Sequence, residues 1–194
     1  MVKVSSARDD MLQAATELFR ARGYEGVGVA ELLEASGAPR GSLYFHFPGG
    51  KEQIGVEVIT RVAAAVLEQF KGLGARDIDL DTYIDTVFRS TAKTVKDRDF
   101  HASCPIAVIA GESSTHHSPD LSAAVAQAFK VWEEEIGRFA QTRGMSAKNS
   151  GDFASSLVTA MEGAFLLSKV QRSVTPHQNA ARATKALAAM LAKA

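Results

Sequence analysis

Cys104 is the only thiol in the chain, with His101 just before it and His116 and His117 a short way beyond. A Cys–His pair can supply a nucleophile and its base, provided a base or a helix N-terminus turns the thiol into thiolate. Cys104-Pro105 reads as a helix start, so a small α-helical enzyme using Cys104 is one reading of these residues. The same four residues could ligate a metal, but a small buried thiol and polar loop histidines account for them more simply. Gly23, Gly26 and Gly28 follow a helical stretch rather than a strand, and the third glycine of a dinucleotide fingerprint is missing. Gly50-Lys51 is not followed by Ser or Thr, so it is no phosphate-cradling loop of the Walker type. The chain has no Glu-x-x-His motif of the kind that builds a di-iron bundle. No metal and no cofactor are expected, and catalysis is not the expected activity.

The denser group of candidate side chains is Arg40, Ser42, Tyr44, Phe45, His46 and Lys51, inside the stretch GVAELLEASGAPRGSLYFHFPGGKEQI from Gly28 to Ile54. Leu32, Leu33 and Ala35 give its first piece an apolar face, and Ser36-Gly37 stops that helix. Pro39 fits the first position of a second helix, where its missing N–H costs nothing. On that second helix Leu43 and Phe47 turn back to the core, leaving Arg40, Ser42, Phe45 and His46 outward. Pro48-Gly49-Gly50 ends it, and Lys51-Glu52 opens the next. A short helix, a glycine-containing turn and a second helix with an outward polar face predict a helix-turn-helix.

The run GSLYFHFPGGKE closely resembles the recognition-helix signature of the TetR family of bacterial transcriptional regulators, Gly-Thr-Leu-Tyr-x-His-Phe followed by Lys-Glu. The specific resemblance covers roughly residues 7 to 54, and the preceding Gly23-Tyr24 and Ser36-Gly37 supply its context. It implies a DNA-binding set of Gly28, Pro39, Arg40, Gly41, Ser42, Tyr44, Phe45, His46 and Lys51. Arg40 is placed to read a guanine bidentately, Ser42 and Phe45 to add hydroxyl and thymine-methyl contacts, and Tyr44, His46 and Lys51 to hold phosphates. The family usually carries Thr or Ser at the start of the second helix; here Val27-Gly28 stands there, and a bare glycine N–H is left to meet a phosphate.

The chain is 194 residues long, room for one sizeable core or a small domain fused to a larger one. Its 22 basic and 22 acidic residues leave no net charge, which does not by itself advertise a nucleic-acid partner. Distribution matters more: between Ala35 and Lys51 there is no acidic residue, while Arg40, His46 and Lys51 lie there. The N-terminus MVKVSSARDD has no apolar signal core, and no apolar run approaches the roughly 20 residues that cross a bilayer. A lone cysteine suits a reducing cytoplasm, the expected location.

Ser6 with Asp9 predicts the start of the first helix, whose stripe is Met11, Ala14, Ala15, Leu18 and Phe19. Later helices are expected over about 51–71, 80–96, 104–110, 118–142, 147–171 and 176–193. The stripe on the helix over 51–71, which follows the DNA-reading segment, is Ile54, Val58, Val62, Ala65, Val66 and Phe70. Stripes on the last two helices are Phe153, Leu157, Met161, Ala164, Phe165 and Ser168, then Ala183, Leu187, Met190, Leu191 and Ala194. No alternating strand pattern occurs. The fold expected is all-α: a three-helix helix-turn-helix domain over 1–50, then a larger helical effector-binding and dimerisation domain over 51–194.

Aromatic side chains beyond the first domain are most simply core. The resemblance adds that the C-terminal helices enclose a ligand cavity. Its lining would be drawn from Val62, Val66, Phe70, Tyr83, Phe88 and Phe100, with Cys104, Phe129, Trp132, Met161 and Phe165. The segment Cys104–Val108 is similar to a Cys-Pro piece of a branch regulating drug efflux, which implies an apolar or aromatic effector. A symmetric four-helix interface of the last two helices would use Leu157, Met161, Ala164, Phe165, Ala183, Leu187 and Met190. The reading is therefore a DNA-binding regulator that meets a double-stranded operator as a homodimer, releases it on binding an effector, and has no membrane partner. A helical protein-interaction scaffold without DNA affinity is the other alternative to the enzyme.

Overall fold

The computed structural model describes residues 7–39, 41–101, 103–112 and 118–193. Ser6, Arg40, His116, His117 and Ala194 lie outside the described residues. Among those described there are helices and no strand. They are α1 Ala7–Arg22, α2 Val29–Ser36, α3 Leu43–His46, α4 Gly50–Gly74, α5 Leu80–Asp97, α6 Pro105–Ala110, α7 Pro119–Thr142, α8 Ala147–Gln171 and α9 Thr175–Leu191. They fall into two compact units. The first takes described residues through Val62 together with Pro105–Ala128, and the second takes Ala63–Cys104 and the chain from Phe129 onward. The expected boundary at 50/51 lies inside the first of these units.

In the first unit α1 packs on α2 and α6 through Met11, Leu12, Ala15, Phe19, Leu32, Leu33, Ile106 and Ile109, all buried. Ala14 and Leu18, expected in the stripe, are only half-buried, and Leu12 and Thr16 fill the interior instead. Gly55 lies so close to its neighbours that an added Cβ would stand 2.9 Å from both Leu121 and Tyr24. Ser118 caps α7 by accepting from the Leu121 N–H at 3.1 Å and donates to Glu52 at 2.6 Å. On α4 the buried positions are Ile54, Val58, Ile59, Ala63, Phe70 and Leu73; Ala65 is exposed and Val62 and Val66 are half-buried. The stripe thus sits one position from the expected one through its middle.

In the second unit α8 packs on α9 and both pack on α5. The expected α8 range and stripe are both observed, with Phe153, Leu157, Met161, Ala164, Phe165 and Ser168 buried. Two polar bonds fix α9 along α8: Asn149 Nδ2 donates to the Leu191 carbonyl at 2.8 Å, and Ser168 Oγ lies 2.8 Å from His177 Nδ1. The α9 stripe differs from expectation. His177, Ala181, Thr184 and Ala188 are buried, whereas Ala183 and Met190 are exposed and Leu187 and Leu191 half-buried. By length and mean hydropathy α8 does reach what a membrane-crossing helix needs, contrary to the expectation that no stretch does. Phe153, Leu157, Met161 and Phe165 are packed inward, as in the core helix of a folded domain, while Leu166, Leu167 and Val170 are exposed.

Candidate nucleic-acid interface and the helical second unit

The turn between α2 and α3 follows from its residues. Gly37 takes the left-handed conformation (φ 67°), and the N–H groups of Gly37 and Ala38 return to the carbonyls of Glu34 and Leu33, both at 3.2 Å. This paired closure is what glycine permits after a helix end. Ser42 then sends both its N–H (2.9 Å) and its hydroxyl (2.7 Å) to the Pro39 carbonyl. That turn occupies the residues where helix was expected, so α3 begins at Leu43 and not at Pro39. Leu43 and Phe47 are fully buried, and the guanidinium of Arg8 lies 4.9 Å from the Phe47 ring. Gly49 donates its N–H to Gln53 Oε1 at 3.0 Å, closing the start of α4.

That bracing leaves the expected DNA-reading side chains outside. Phe45 is 81% exposed, Tyr44 is also exposed, and His46 is half-buried with its ring edge-on to Phe45 at 5.0 Å. Gly41 is exposed and Ser42 half-buried. Arg40 lies outside the described residues. Gly28 caps α2 in extended conformation, and a Cβ built on it would meet nothing within 4 Å. The α2 N-terminus is therefore open, and its first N–H groups have no intrahelical partner. Lys51 is less free than its sequence position suggests. Its ammonium lies 4.2 Å from the centre of the Tyr24 ring, and burial pulls its pKa down while Glu112 and Glu25 oppose that shift. Tyr24 is pushed up by burial, with Glu52 and Glu112 adding to it.

Of the aromatic side chains expected to line a cavity in the second unit, Phe70, Tyr83, Phe88, Trp132 and Phe165 are buried and Phe100 and Phe129 are half-buried. Trp132 donates to the Ala63 carbonyl at 3.0 Å and meets Phe70 and Phe129 edge-on at 6.2 and 5.6 Å. Tyr83 stacks on Phe139 at 4.2 Å, and burial raises its phenol pKa. Met161 and Phe165 are buried, and Phe100 is half-buried beneath Arg172. Val62 belongs to the first unit. A cleft of about 750 Å³ does open in the second unit, between α5 and the start of α9, but of the expected lining it takes Phe88 alone. For the interface set, Leu157, Met161, Ala164 and Phe165 are core residues of their own subunit. The large apolar side chains exposed on these helices are Leu166, Leu167, Val170 and Met190.

Two buried ionisable groups were not singled out in the sequence. Burial pushes the Glu162 carboxyl up to about 7, the adjacent Cys104 thiol offsetting part of the rise, and neither carboxyl oxygen has a hydrogen bond of ordinary geometry. Burial pushes His177 down to about 4, and its Nε2 is likewise unpartnered. The one sequence signal for either is a polar residue directly beside a large apolar stripe residue, as Glu162 is beside Met161. Among the described residues no cluster of His, Cys, Asp and Glu is arranged to hold a metal.

Comparison with known proteins agrees with this architecture. The family described as bacterial regulatory proteins, tetR family, matches residues 11–58, and the transcriptional regulator LmrA/YxaF-like C-terminal domain matches residues 82–183. The chain is 32% identical over 171 residues to the HTH-type transcriptional regulator LmrA of Bacillus subtilis, covering 88% of this chain and 90% of that one. It is 31% identical over 177 residues to an HTH-type transcriptional regulator of Mycobacterium tuberculosis, MT0206, with 87% of each covered. A TetR transcriptional regulator from Legionella pneumophila shares the fold at a TM-score of 0.85 and 18% identity, over 95% of this chain and 98% of that one. With the N-terminal match over the braced helix-turn-helix and the C-terminal match over α5 to α9, the chain belongs to the TetR family of DNA-binding transcriptional regulators.

Proposed function

We propose that the protein is a cytoplasmic, non-catalytic repressor that binds a palindromic operator as a homodimer and leaves it when a small apolar or aromatic effector binds. The carrying observation is the pair of exposed aromatic side chains, Tyr44 and Phe45, held out by buried Leu43 and Phe47 beside an open α2 N-terminus. Residues 1–50 are assigned to DNA reading and 51–194 to effector binding and dimerisation. Arg40 is the base-reading residue; Gly28, Tyr44, His46 and Lys51 are phosphate contacts; Pro39 and Gly41 shape the turn. The symmetry partner is placed on the outward face carrying Leu166, Leu167 and Val170 of α8 with Met190 of α9, in place of the buried set read from the sequence.

Selection of bound fragments from genomic DNA gives the operator and its symmetry. On that operator, Arg40→Ala is expected to cost about 1–3 kcal/mol and relax preference at one base pair. A uniform loss over all sequences would make Arg40 a backbone contact instead. For the effector, Trp132 is the only tryptophan, and candidate aromatic compounds are expected to quench it over the concentrations that weaken operator binding. Quenching with unchanged operator affinity would reduce the second unit to a dimerisation scaffold.

A further inference from the structure

The α5–α9 cleft has a composition that core packing does not explain. Its apolar surface comes from Phe88, Ala92, Val174 and Ala181, and its rim carries Arg89, Lys93, Lys96 and Arg182 against Asp85 and Asp97. Both acids are already neutralised: Asp85 pairs with Lys185 at 2.9 Å, and Asp97 with Lys93. Among the described residues Arg182 bonds to the neutral Asn179, at 2.6 Å, and to no acid. Arg89 and Lys96 are exposed on the same face of α5 and have no ion pair among the described residues. The cleft therefore holds surplus positive charge around an apolar floor.

His177 adds an independent observation. It lines the same cleft, is 1% exposed, and its Nδ1 is engaged by Ser168 while Nε2 has no partner. A buried ring nitrogen without a partner is uncommon in a folded protein, and a ligand or ordered water is the usual explanation. The cleft also lies away from the outward apolar face of α9. At 100° per residue, Gln178 and Arg182 lie on one flank of the buried His177–Ala181 line, and Ala183, Leu187 and Met190 on the other. A second copy seated on the latter flank leaves the cleft open.

We infer that the α5–α9 cleft binds an amphipathic organic anion, its apolar body over Phe88, Val174 and Ala181, its acid group among Arg89, Lys96 and Arg182, with His177 Nε2 as a further hydrogen-bonding partner. The volume is that of a site for a molecule of one or two rings. Charge gives the selectivity: the rim favours an acid over the alcohol of equal size. The inference does not depend on the DNA reading, because binding is measured on the full chain without operator.

The test uses 2-naphthoate and its uncharged counterpart 2-naphthylmethanol, titrated by calorimetry and by amide and imidazole NMR. 2-Naphthoate is expected to bind about tenfold or more tightly than the alcohol. It should move resonances of residues 88–96 and 174–182 together with the His177 imidazole nitrogens. The double variant Arg89→Gln/Lys96→Gln changes two exposed side chains, so it keeps the fold, and is expected to lower 2-naphthoate affinity to the level of the alcohol. No binding of either compound at millimolar concentration, equal binding of both, shifts elsewhere, or full affinity in the double variant would each overturn the site and leave a solvent groove only. Operator affinity measured separately with the same compounds shows whether this site is coupled to DNA; a negative result there leaves the cleft assignment standing.

Discussion

Glu162 and His177 titrate in opposite senses, and that opposition is measurable. Glu162 is pushed up from 4.5 to about 7, so between those values the folded chain keeps a proton that the unfolded chain has released. Its contribution to stability is therefore lost as pH rises through that window. His177 is pushed down from 6.5 to about 4, so between those values the unfolded chain binds the extra proton. Its contribution is present above 6.5 and lost as pH falls toward 4. From 4.5 to 6.5 the two slopes oppose, and above 6.5 only that of Glu162 remains. Glu162→Gln is expected to stabilise the protein at pH 8 by roughly 1–3 kcal/mol and to uncover acid sensitivity below 6.5. Denaturant midpoints across pH check this; an unchanged profile would mean the carboxyl is hydrated in solution. Neither shift was legible in the sequence, because a single Glu or His beside an apolar stripe is written the same way whether it faces water or core.

Between Leu43 and Phe47 the alternation of buried and exposed side chains separates stability from DNA reading. Leu43→Ala removes a fully buried side chain and is expected to cost about 2–5 kcal/mol in unfolding free energy. Phe45→Ala should leave the unfolding free energy within about 0.5 kcal/mol and still weaken operator binding. If both variants lose stability and binding in proportion, the exposed ring is not a DNA contact. At Gly28 the extended backbone (φ −87°, ψ 157°) and the empty space around its Cβ admit a β-branched hydroxyl residue. Gly28→Thr is expected to add a few tenths of a kcal/mol through capping and to tighten operator and random DNA alike. Tightening confined to the operator would refute a backbone role. The outward and inward phases of α3 were readable because Leu43 and Phe47 are large and four apart, but its start was not. Ser42 bonding back to Pro39 makes a turn whose residues look helical in sequence. Likewise Gly72-Leu73-Gly74 reads as a break after about Lys71, yet α4 continues to Gly74, where Leu73 is buried and Phe139 lies against the glycine. A glycine lowers helix propensity by about 1 kcal/mol, and tertiary packing outweighs it here.

At the scale of the assembly, the sequence legibly supplied the helix order and the α8 stripe but not the face that meets a second copy. In α8 the buried line is marked by Phe153, Leu157, Met161 and Phe165, and side-chain size fixes the phase. In α9 the small residues Ala180, Ala181, Ala183, Ala186, Ala188 and Ala189 surround the axis, so nothing in the spacing tells inside from outside. The phase is set by His177 meeting Ser168 and by Thr184 and Ala188 closing on the subunit. What remains outward is a patch with Val170 74% and Met190 69% exposed, beside Leu166 and Leu167. Burying these four side chains would contribute about 1.5–3 kcal/mol each if fully covered, enough to matter for association once ordering costs are met. Leu167→Glu/Val170→Glu places two charges on that patch without touching the buried stripe. The double variant is expected to keep its helical circular dichroism, sediment as a monomer at micromolar concentration, and bind the operator at least about 100-fold more weakly, because the second half-site is no longer an intramolecular event. Leu157→Ala is the contrasting change: it should lower stability by about 2–5 kcal/mol while the folded fraction stays dimeric. A Leu167→Glu/Val170→Glu protein that still sediments as a dimer would move the interface to another surface. A dimer lost with operator affinity intact would mean that one helix-turn-helix suffices for recognition.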